Sequence, residues 1–211
     1  MAVSGFPVRL RRMTTLAFEL AATIRHDGQG GVADVLDTDA GLAEWVQGNS
    51  VSVGDVLGRP FDPTAVSVDD ALRQALTGVR RAVRSLFARA VSPAPPSRAD
   101  ADRLLDPEVA LNLLNKAADR LGTPHLAWPA GGQPVTTWSG RSKDPVALLV
   151  GAVGRSGIDF LTSPDRNRLR ACPAARCVKY FLQDDPRQTW CSPSCGNRER
   201  VNRHYHRKRT A

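Results

Sequence analysis

Four cysteines near the C-terminus constrain the fold of this chain more than any other feature. They form two close pairs, Cys172 with Cys177 and Cys191 with Cys195, and the 211-residue sequence contains no other cysteine. Thirteen residues separate the pairs, which is enough for a β-hairpin. Four thiolates complete the tetrahedral shell of a zinc ion and leave no open position for a substrate. The pattern therefore predicts one structural Zn²⁺ ion, with disulfides or a redox pair as the weaker alternative.

The net charge of the chain comes entirely from the segment that carries these cysteines. Residues 165–211 hold 12 Lys and Arg against 4 Asp and Glu, whereas residues 1–164 hold 17 of each. Ser192 and Pro193 are a typical N-cap and first residue of a helix, which would run towards the C-terminus. A helix that starts at a metal ligand and carries this charge favours nucleic-acid contact over a solvated basic tail. The side chains expected to make the contact are Arg198, Arg200, Arg203, Arg207, Lys208 and Arg209.

The spacer and the last helix are expected to build a small apolar core around the metal. Residues 179–183 and 188–190 would pair as short strands across a turn. One face of the helix, beside the arginines, carries apolar side chains that would pack inwards. The residues expected to cover the metal are Phe181, Trp190, Val201 and Tyr205.

Upstream of the cysteines, the pattern predicts a mainly helical domain with one small β-hairpin. The longest helix would begin at a capping box formed by Ser67 and Asp70. It would carry Arg73, Arg80, Arg81 and Arg84 on the face opposite its apolar stripe. Residues 12–26 are expected to form a helix or a strand that enters a helix. Further helices are expected at 37–49, 67–91, 106–122 and 144–160, with a loop at 54–63 and a hairpin formed by 125–128 and 134–138. Three glycines lower the helix propensity near the end of the helix predicted at 144–160, so that its C-terminal part is expected to be less regular: Gly151, Gly154 and Gly157.

No feature of the sequence points to catalysis or to a membrane. A Gly-rich phosphate loop, an HExxH motif and a His/Cys dyad are missing, and His26 and His125 are isolated. We therefore expect no enzymatic activity. Trp45, Trp128 and Trp138 are expected to pack in a core rather than to line a pocket. Because no signal peptide and no apolar run of about 20 residues is evident, the sequence predicts a cytoplasmic protein without a membrane partner.

The C-terminal part of the sequence resembles the CGNR zinc-finger family. Cys191-Ser192 and Cys195-Gly-Asn-Arg198 look like the signature of that family, and residues 160–172 resemble the approach to its first cysteine. Upstream, residues 16–23 and 42–45 resemble segments of the ABATE domain that precedes this finger. The resemblance spans essentially the whole chain, and the finger motif is the more specific part of it.

The resemblance implies an α+β fold, with an ABATE-like sensor domain at 1–163 and a treble-clef-like zinc finger at 164–211. It also implies a proposed role as a stress-linked bacterial transcription regulator. The sequence departs from the family pattern at two points: three rather than four residues separate the second pair of cysteines, and Pro186 stands where Ser is common. The zinc ligands implied by the resemblance are Cys172, Cys177, Cys191 and Cys195.

The residues and the resemblance together predict a DNA-binding transcription regulator. Its N-terminal domain would sense a small-molecule effector or a partner. The alternative is a zinc-stabilised adaptor that docks on an acidic protein such as the transcription machinery. A homodimer would suit a palindromic DNA site.

Overall fold

The structure is a computed structural model that describes residues 15–29 and 31–209, apart from the side chains of residues 204 and 206–209. The described residues form an α+β fold of seven α-helices and three two-stranded antiparallel hairpins. The helices are α1 (Leu16–Ala21), α2 (Asp39–Gly48), α3 (Ser50–Leu57), α4 (Asp70–Val91), α5 (Pro107–Ala118), α6 (Pro145–Thr162) and α7 (Pro193–Arg209). The strands are β1 (Ile24–His26), β2 (Val32–Asp34), β3 (Thr123–Ala127), β4 (Val135–Ser139), β5 (Leu169–Ala171) and β6 (Tyr180–Leu182).

The helical domain is organised around α4, against which α1, α5 and α6 pack. Three buried phenylalanines meet at its centre, with ring centroids 4.8 Å apart for Phe18 and Phe87, 4.8 Å for Phe18 and Phe160, and 5.3 Å for Phe87 and Phe160. Tilted and edge-on arrangements at such distances are favourable for aromatic rings. Tyr180 of β6 extends the cluster, with its ring centroid 5.5 Å from that of Phe87. The third hairpin is therefore part of the same core.

Acidic side chains cap the long helices much as the sequence predicts. Asp106 and Asp144 accept backbone N–H bonds at the starts of α5 and α6, and Pro follows each of them. In α4 the cap is Asp69, whose carboxylate accepts a hydrogen bond from Leu72 N at 2.8 Å. The N-cap therefore lies two residues after the predicted Ser67. The carboxylate of Asp69 accepts a hydrogen bond from a free N–H group of the first turn, so Ser67 is not needed as a cap.

The glycines of α6 do not interrupt the helix, which continues to Thr162. They face α5 at very short distance: a Cβ at Gly154 would lie 2.7 Å from the backbone nitrogen of Ala118. At Gly151 it would lie 2.8 Å from the side chain of Leu121, and at Gly157 3.1 Å from that of Leu114. The missing side chains therefore allow close packing of α5 on α6, which outweighs the low helix propensity of glycine.

Gly154→Ala is expected to lower the free energy of unfolding by about 1–3 kcal/mol, because the added Cβ collides with the backbone of α5. Gly78→Ala in α4 is the matched control, since a Cβ there meets no atom within 4 Å. The control should raise stability by up to about 1 kcal/mol through helix propensity alone. Urea unfolding followed by circular dichroism measures both. If Gly154→Ala and Gly78→Ala change the free energy of unfolding equally, close packing of α5 on α6 does not explain why residue 154 is glycine.

The helix predicted at 12–26 ends earlier than expected, and its residues before 15 lie outside the described part of the chain. α1 stops at Ala21, and β1 and β2 form a hairpin that the sequence reading missed. The hydroxyl of Thr23 donates a hydrogen bond to the carbonyl of Leu20 at 2.7 Å. This bond satisfies a carbonyl at the helix end and allows the chain to turn into an extended strand.

Two other expectations for the helical domain are wrong. The loop predicted at 54–63 begins within α3, which ends at Gly58 with a φ of 67°. A left-handed glycine is a common helix C-cap, so the helix continues past Gly54 and ends at Gly58. Trp45 is buried in the core and Trp138 is half-buried, but Trp128 lies on the surface with 70% of its area exposed.

The prediction that α4 carries four arginines on its outer face is wrong for Arg80 and Arg84, which are only 7% and 4% exposed. Arg80 forms a two-pronged ion pair with the carboxylate of Asp34 in β2, and also donates to Thr23 Oγ1 at 2.8 Å. Burial acts to raise the pKa of Asp34, but the hydrogen bonds from Arg80 and from Leu36 N outweigh it, and the pKa is lowered. Arg84 joins the helical domain to the cysteine module, as described below.

Among the described helices, α6 alone has the length and apolar composition that could cross a membrane. More than half of it, 56%, is buried inside the protein. A helix that is apolar on most sides is typical of the centre of a large core. Its composition is thus explained by packing between α1, α4 and α5.

Candidate metal centre

The four cysteines come together in one cluster, although thirteen residues separate the two pairs. Their sulfur atoms all lie within 4.8 Å of one another. The sulfurs of Cys177 and Cys191 are 3.7 Å apart, and those of Cys191 and Cys195 are 3.6 Å apart. Sulfurs about 2.3 Å from a central zinc ion would form a tetrahedron with edges of about 3.8 Å. The observed spacing fits that geometry and is far too long for disulfide bonds.

The ionisation of the thiols shows why a cation suits this cluster. The pKa of Cys172 is lowered to about 2, first by a hydrogen bond from Cys177 and then by one from Cys191. The pKa of Cys177 is raised to about 11, chiefly because it shares that bond with Cys172, and the pKa of Cys191 is also raised. One thiolate thus forms easily, while further negative charge beside it is unfavourable. A bound dication would offset this repulsion and hold the ligands as thiolates.

The second pair of ligands is placed by the start of α7. Pro193 is the first helical residue, and the hydroxyl of Ser192 accepts a hydrogen bond from Cys195 N at 3.4 Å. This confirms the predicted start of the helix. Cys195 consequently lies in the first turn, where the partial positive charge of the helix end favours a thiolate.

The first pair of ligands belongs to a tight turn that α7 clamps from outside. Arg198 donates to the carbonyl of Ala175 at 3.3 Å, and the carboxylate of Glu199 accepts a hydrogen bond from Ala175 N. Gly196 is required by a different contact: a Cβ there would lie 2.9 Å from the ring of Trp190. The residues after Cys195 therefore hold the cysteine-bearing turn and the aromatic cover in place.

The strand pairing predicted for the spacer is wrong. β6 pairs with β5, which precedes the first cysteine, in the register Leu169 with Leu182 and Ala171 with Tyr180. Residues 188–190 form no strand. Pairing with β5 puts Leu169 and Tyr180 in the main core, and that burial outweighs a short local hairpin.

The apolar cover of the cysteines is smaller than predicted. Ala174 and Phe181 are buried beside them and Trp190 packs against the group, as expected for the two aromatic residues. Val201 and Tyr205 do not pack on this core, since they are 52% and 64% exposed. The reason is that the small cluster ends near the second turn of α7, and the rest of the helix extends past it.

The six basic side chains predicted to contact nucleic acid do not have equivalent surroundings. Arg198 is half-buried and holds the turn at Ala175. Arg200 and Arg203 are exposed, and they hydrogen-bond to groups of α7 itself, Asn197 Oδ1 and Glu199 O. The other three have side chains outside the described part of the structure: Arg207, Lys208 and Arg209. The role assigned to all six in nucleic-acid contact stays a prediction.

One basic residue near this surface was missed by sequence reasoning. Arg176 is exposed and has a φ of 65°, a conformation that costs free energy for a residue with a side chain. It follows Ala175, which α7 contacts, so its backbone lies beside the first turns of the basic helix. Its position directly before the ligand Cys177 was the only signal in the sequence.

A buried polar network fastens this module to the helical domain. Arg84 donates to the carboxylate of Asp100 at 2.7 Å and to the carbonyl of Val178 at 3.1 Å. Ser97 Oγ donates to the same carbonyl at 2.9 Å, and Tyr180 Oη donates to Asp100 at 2.8 Å. Burial, followed by the negative charge of Asp100, raises the pKa of Tyr180. Val178 directly follows the ligand Cys177, so the network reaches to within one residue of the metal centre.

Two family models match the chain in sequence order. Residues 14–164 match ABATE, described as a "Putative stress-induced transcription regulator", and residues 168–208 match the CGNR zinc finger. No curated protein matches significantly. The CGNR match and the sulfur cluster agree on one bound metal ion, consistent with one structural zinc. The chain belongs to the ABATE family and carries a CGNR zinc finger, which confirms the resemblance read from the sequence.

Proposed function

We propose that this ABATE and CGNR zinc-finger protein is a transcription regulator that binds DNA through α7. The observation that carries the proposal is that α7 starts at the metal centre and then leaves the apolar core, with the side chains of Arg200 and Arg203 exposed. Its 17 residues correspond to a length of about 25 Å, and a single helix fits the major groove of DNA. The metal centre and the clamp at Ala175 would fix its direction.

The exposed arginines divide into two roles in this proposal. Arg200 and Arg203 would meet phosphates or guanine edges, together with the residues that follow them on α7. Arg176 would add a phosphate contact from the neighbouring turn. Arg198 would act mainly by positioning, because its guanidinium group already binds the carbonyl of Ala175.

The double variant Arg200→Ala/Arg203→Ala is expected to weaken DNA binding while keeping zinc and fold. If about five phosphates are neutralised, the logarithm of the wild-type affinity should fall against log salt with a slope near −4.5. Losing two of these contacts should make the slope shallower by about 1.8. Fluorescence anisotropy at several salt concentrations measures the slopes. The matched control is Arg89→Ala/Arg98→Ala, which removes two exposed arginines of the helical domain and should leave the slope unchanged.

An adaptor role is the second candidate, and the exposure of Val201 and Tyr205 favours it. Apolar and aromatic side chains on a basic helix suit a groove on an acidic protein. Binding to such a partner would survive an excess of DNA. If the slope against salt is near zero, or if the double variant binds DNA as the wild type does, the DNA-binding proposal is wrong and the adaptor role stands.

The remaining parts of the proposal concern how the chain is organised. The helical domain, predicted at 1–163, would sense an effector, and the finger at 164–211 would have a treble-clef arrangement. We propose a cytoplasmic bacterial protein, because thiol ligands stay reduced in the cytoplasm. A homodimer would bind a palindromic site, and analytical ultracentrifugation tests for it. No catalytic step is part of the proposed function.

A further inference from the structure

A groove of about 560 Å³ lies on the helical domain, against the outer surface of α4. One wall is formed by α4, and another by residues 99–104, which follow the network residue Ser97. Ile24 of β1 contributes an apolar edge. This size is within the range of sites that bind small molecules in proteins.

Gly78 indicates that the open space of the groove is used. It lies in the interior of the 22-residue α4, where glycine destabilises a helix by about 1 kcal/mol relative to alanine. Packing does not require it, because a Cβ at this position would meet no atom within 4 Å. Its φ is not positive either. The fold thus has no need of glycine here, whereas a ligand lying on the backbone of α4 would.

The charges that line the groove favour an anion. Arg80 and Arg84 are already bound to Asp34 and Asp100. Arg81 and Arg103 are exposed, and neither forms an ion pair with any residue in the described ranges 15–29 and 31–209. The Nε of Arg81 donates to the carbonyl of Arg103 at 3.2 Å, which orients the guanidinium group and leaves its Nη atoms available. Asp102 at the rim offsets one of these two charges.

We propose that this groove binds a small organic anion. Its carboxylate would lie between Arg81 and Arg103, since guanidinium groups bind carboxylates through paired N–H donors. Its apolar part would lie on Gly78, between Ile24 and Leu104, whose side chain is 40% exposed. The groove would be the effector site of the sensing domain. The effect of the anion on the finger rests on the proposed function, whereas binding of the anion in the groove does not.

That consequence follows from two residues that belong to both the groove and the network. Arg84 and Asp100 line the groove. Arg84 also donates to the carbonyl of Val178, which follows the ligand Cys177, and Asp100 accepts a hydrogen bond from Tyr180. An anion in the groove adds negative charge near Arg84 and Asp100 and would change their hold on the finger, which couples the groove to the direction of α7.

The test uses the zinc-loaded full-length protein and benzoate as the probe, with neutral benzamide as its isostere. A fragment of this size is expected to bind with a dissociation constant of about 1 mM. Benzoate should shift the NMR amide signals of Gly78, Arg81 and Arg103, and benzamide should not. Gly78→Leu, at a position where a Cβ meets no atom within 4 Å, places a side chain in the groove and should weaken benzoate binding about tenfold or more. The double variant Arg81→Gln/Arg103→Gln should do the same, and Arg89→Ala on the same helix should bind normally.

Several outcomes would overturn the proposal. Hexanoate and indole-3-acetate extend the probe set, and if no carboxylate shifts these amides at about ten times the expected dissociation constant, the groove is not an anion site. If benzamide shifts the same amide signals as much as benzoate does, the negative charge of the ligand is not needed for binding. If Arg81→Gln/Arg103→Gln lowers DNA affinity without any probe present, these arginines belong to the DNA surface instead. Because benzoate binding is measured without DNA, failure of DNA binding by α7 would leave the groove result unaffected.

Discussion

Removal of the metal is expected to unfold the finger around the cysteines while the helical domain keeps its fold. Among the residues that the structure describes, the buried cluster beside the sulfurs contains Ala174 and Phe181, with Trp190 against it, which is too little apolar area to replace the ion. Structural zinc sites contribute about 10–16 kcal/mol of apparent binding free energy. The main core is large and has no ligand sulfur in it. Chelation should therefore act locally.

Hydrogen exchange after treatment with a chelator, or in Cys195→Ser, measures this effect. Protection should be lost at Cys177 N, which donates to Ala174 O, and along α7. It should persist in α4 and α6, and also in β5 and β6, since Leu169 and Tyr180 are held by the helical core. Thr189→Ala, an exposed residue between the cysteine pairs, is the control and should keep both zinc and protection. A metal-free protein whose α7 stays protected would refute a structural role for zinc.

Arg84→Met is expected to lower the free energy of unfolding by about 3–5 kcal/mol, because it leaves the carboxylate of Asp100 buried without its partner. Arg84 is 4% exposed and also donates to the carbonyl of Ala21 at 2.7 Å. The loss should appear as a lower midpoint in urea. Arg81→Ala, an exposed arginine of the same helix, is the matched control and should change stability by no more than about 0.5 kcal/mol.

A second variant separates the buried charge from lost packing. Arg84→Met/Asp100→Asn has no uncompensated charge, so it should recover part of the stability lost in Arg84→Met. If the double variant is less stable than the single one, the carboxylate is not the source of the penalty. In either variant the amide signals of Val178 and Tyr180 should move, since both residues are partners of this network.

The sequence was sufficient to predict the features that depend on local chemistry. The cysteine spacing gave the metal centre, and an acidic residue followed by proline gave the starts of α5 and α6. Features that depend on distant partners were not predictable. Arg80 and Arg84 look like surface residues until Asp34 and Asp100 approach them, from 46 and 16 residues away. From the sequence pattern alone, a buried arginine cannot be distinguished from an exposed one, because its acidic partner is not known.

The same limit explains the errors in the finger. β6 was expected to pair across a nearby turn, but its partner β5 precedes the cysteines, and the choice is decided by burial of Leu169 and Tyr180. Val201 and Tyr205 have the spacing of an inward face. Both are largely exposed, at 52% and 64%, and neither belongs to the apolar cluster beside the cysteines. Periodicity alone therefore predicts which side chains share a face, and not what the face meets.

The attachment of the finger through Val178 and Tyr180 bears on how such proteins diversify. A recognition unit that a flexible linker joins to its protein shares little packed surface with it and could be exchanged without loss of packing. Here an excised finger would bring the phenol of Tyr180 and the side chain of Leu169 into water. A grafted finger would also need a matching arginine and aspartate in its new host. Exchange of recognition helices in this architecture should therefore be limited to replacements within α7, beyond the clamp at Ala175.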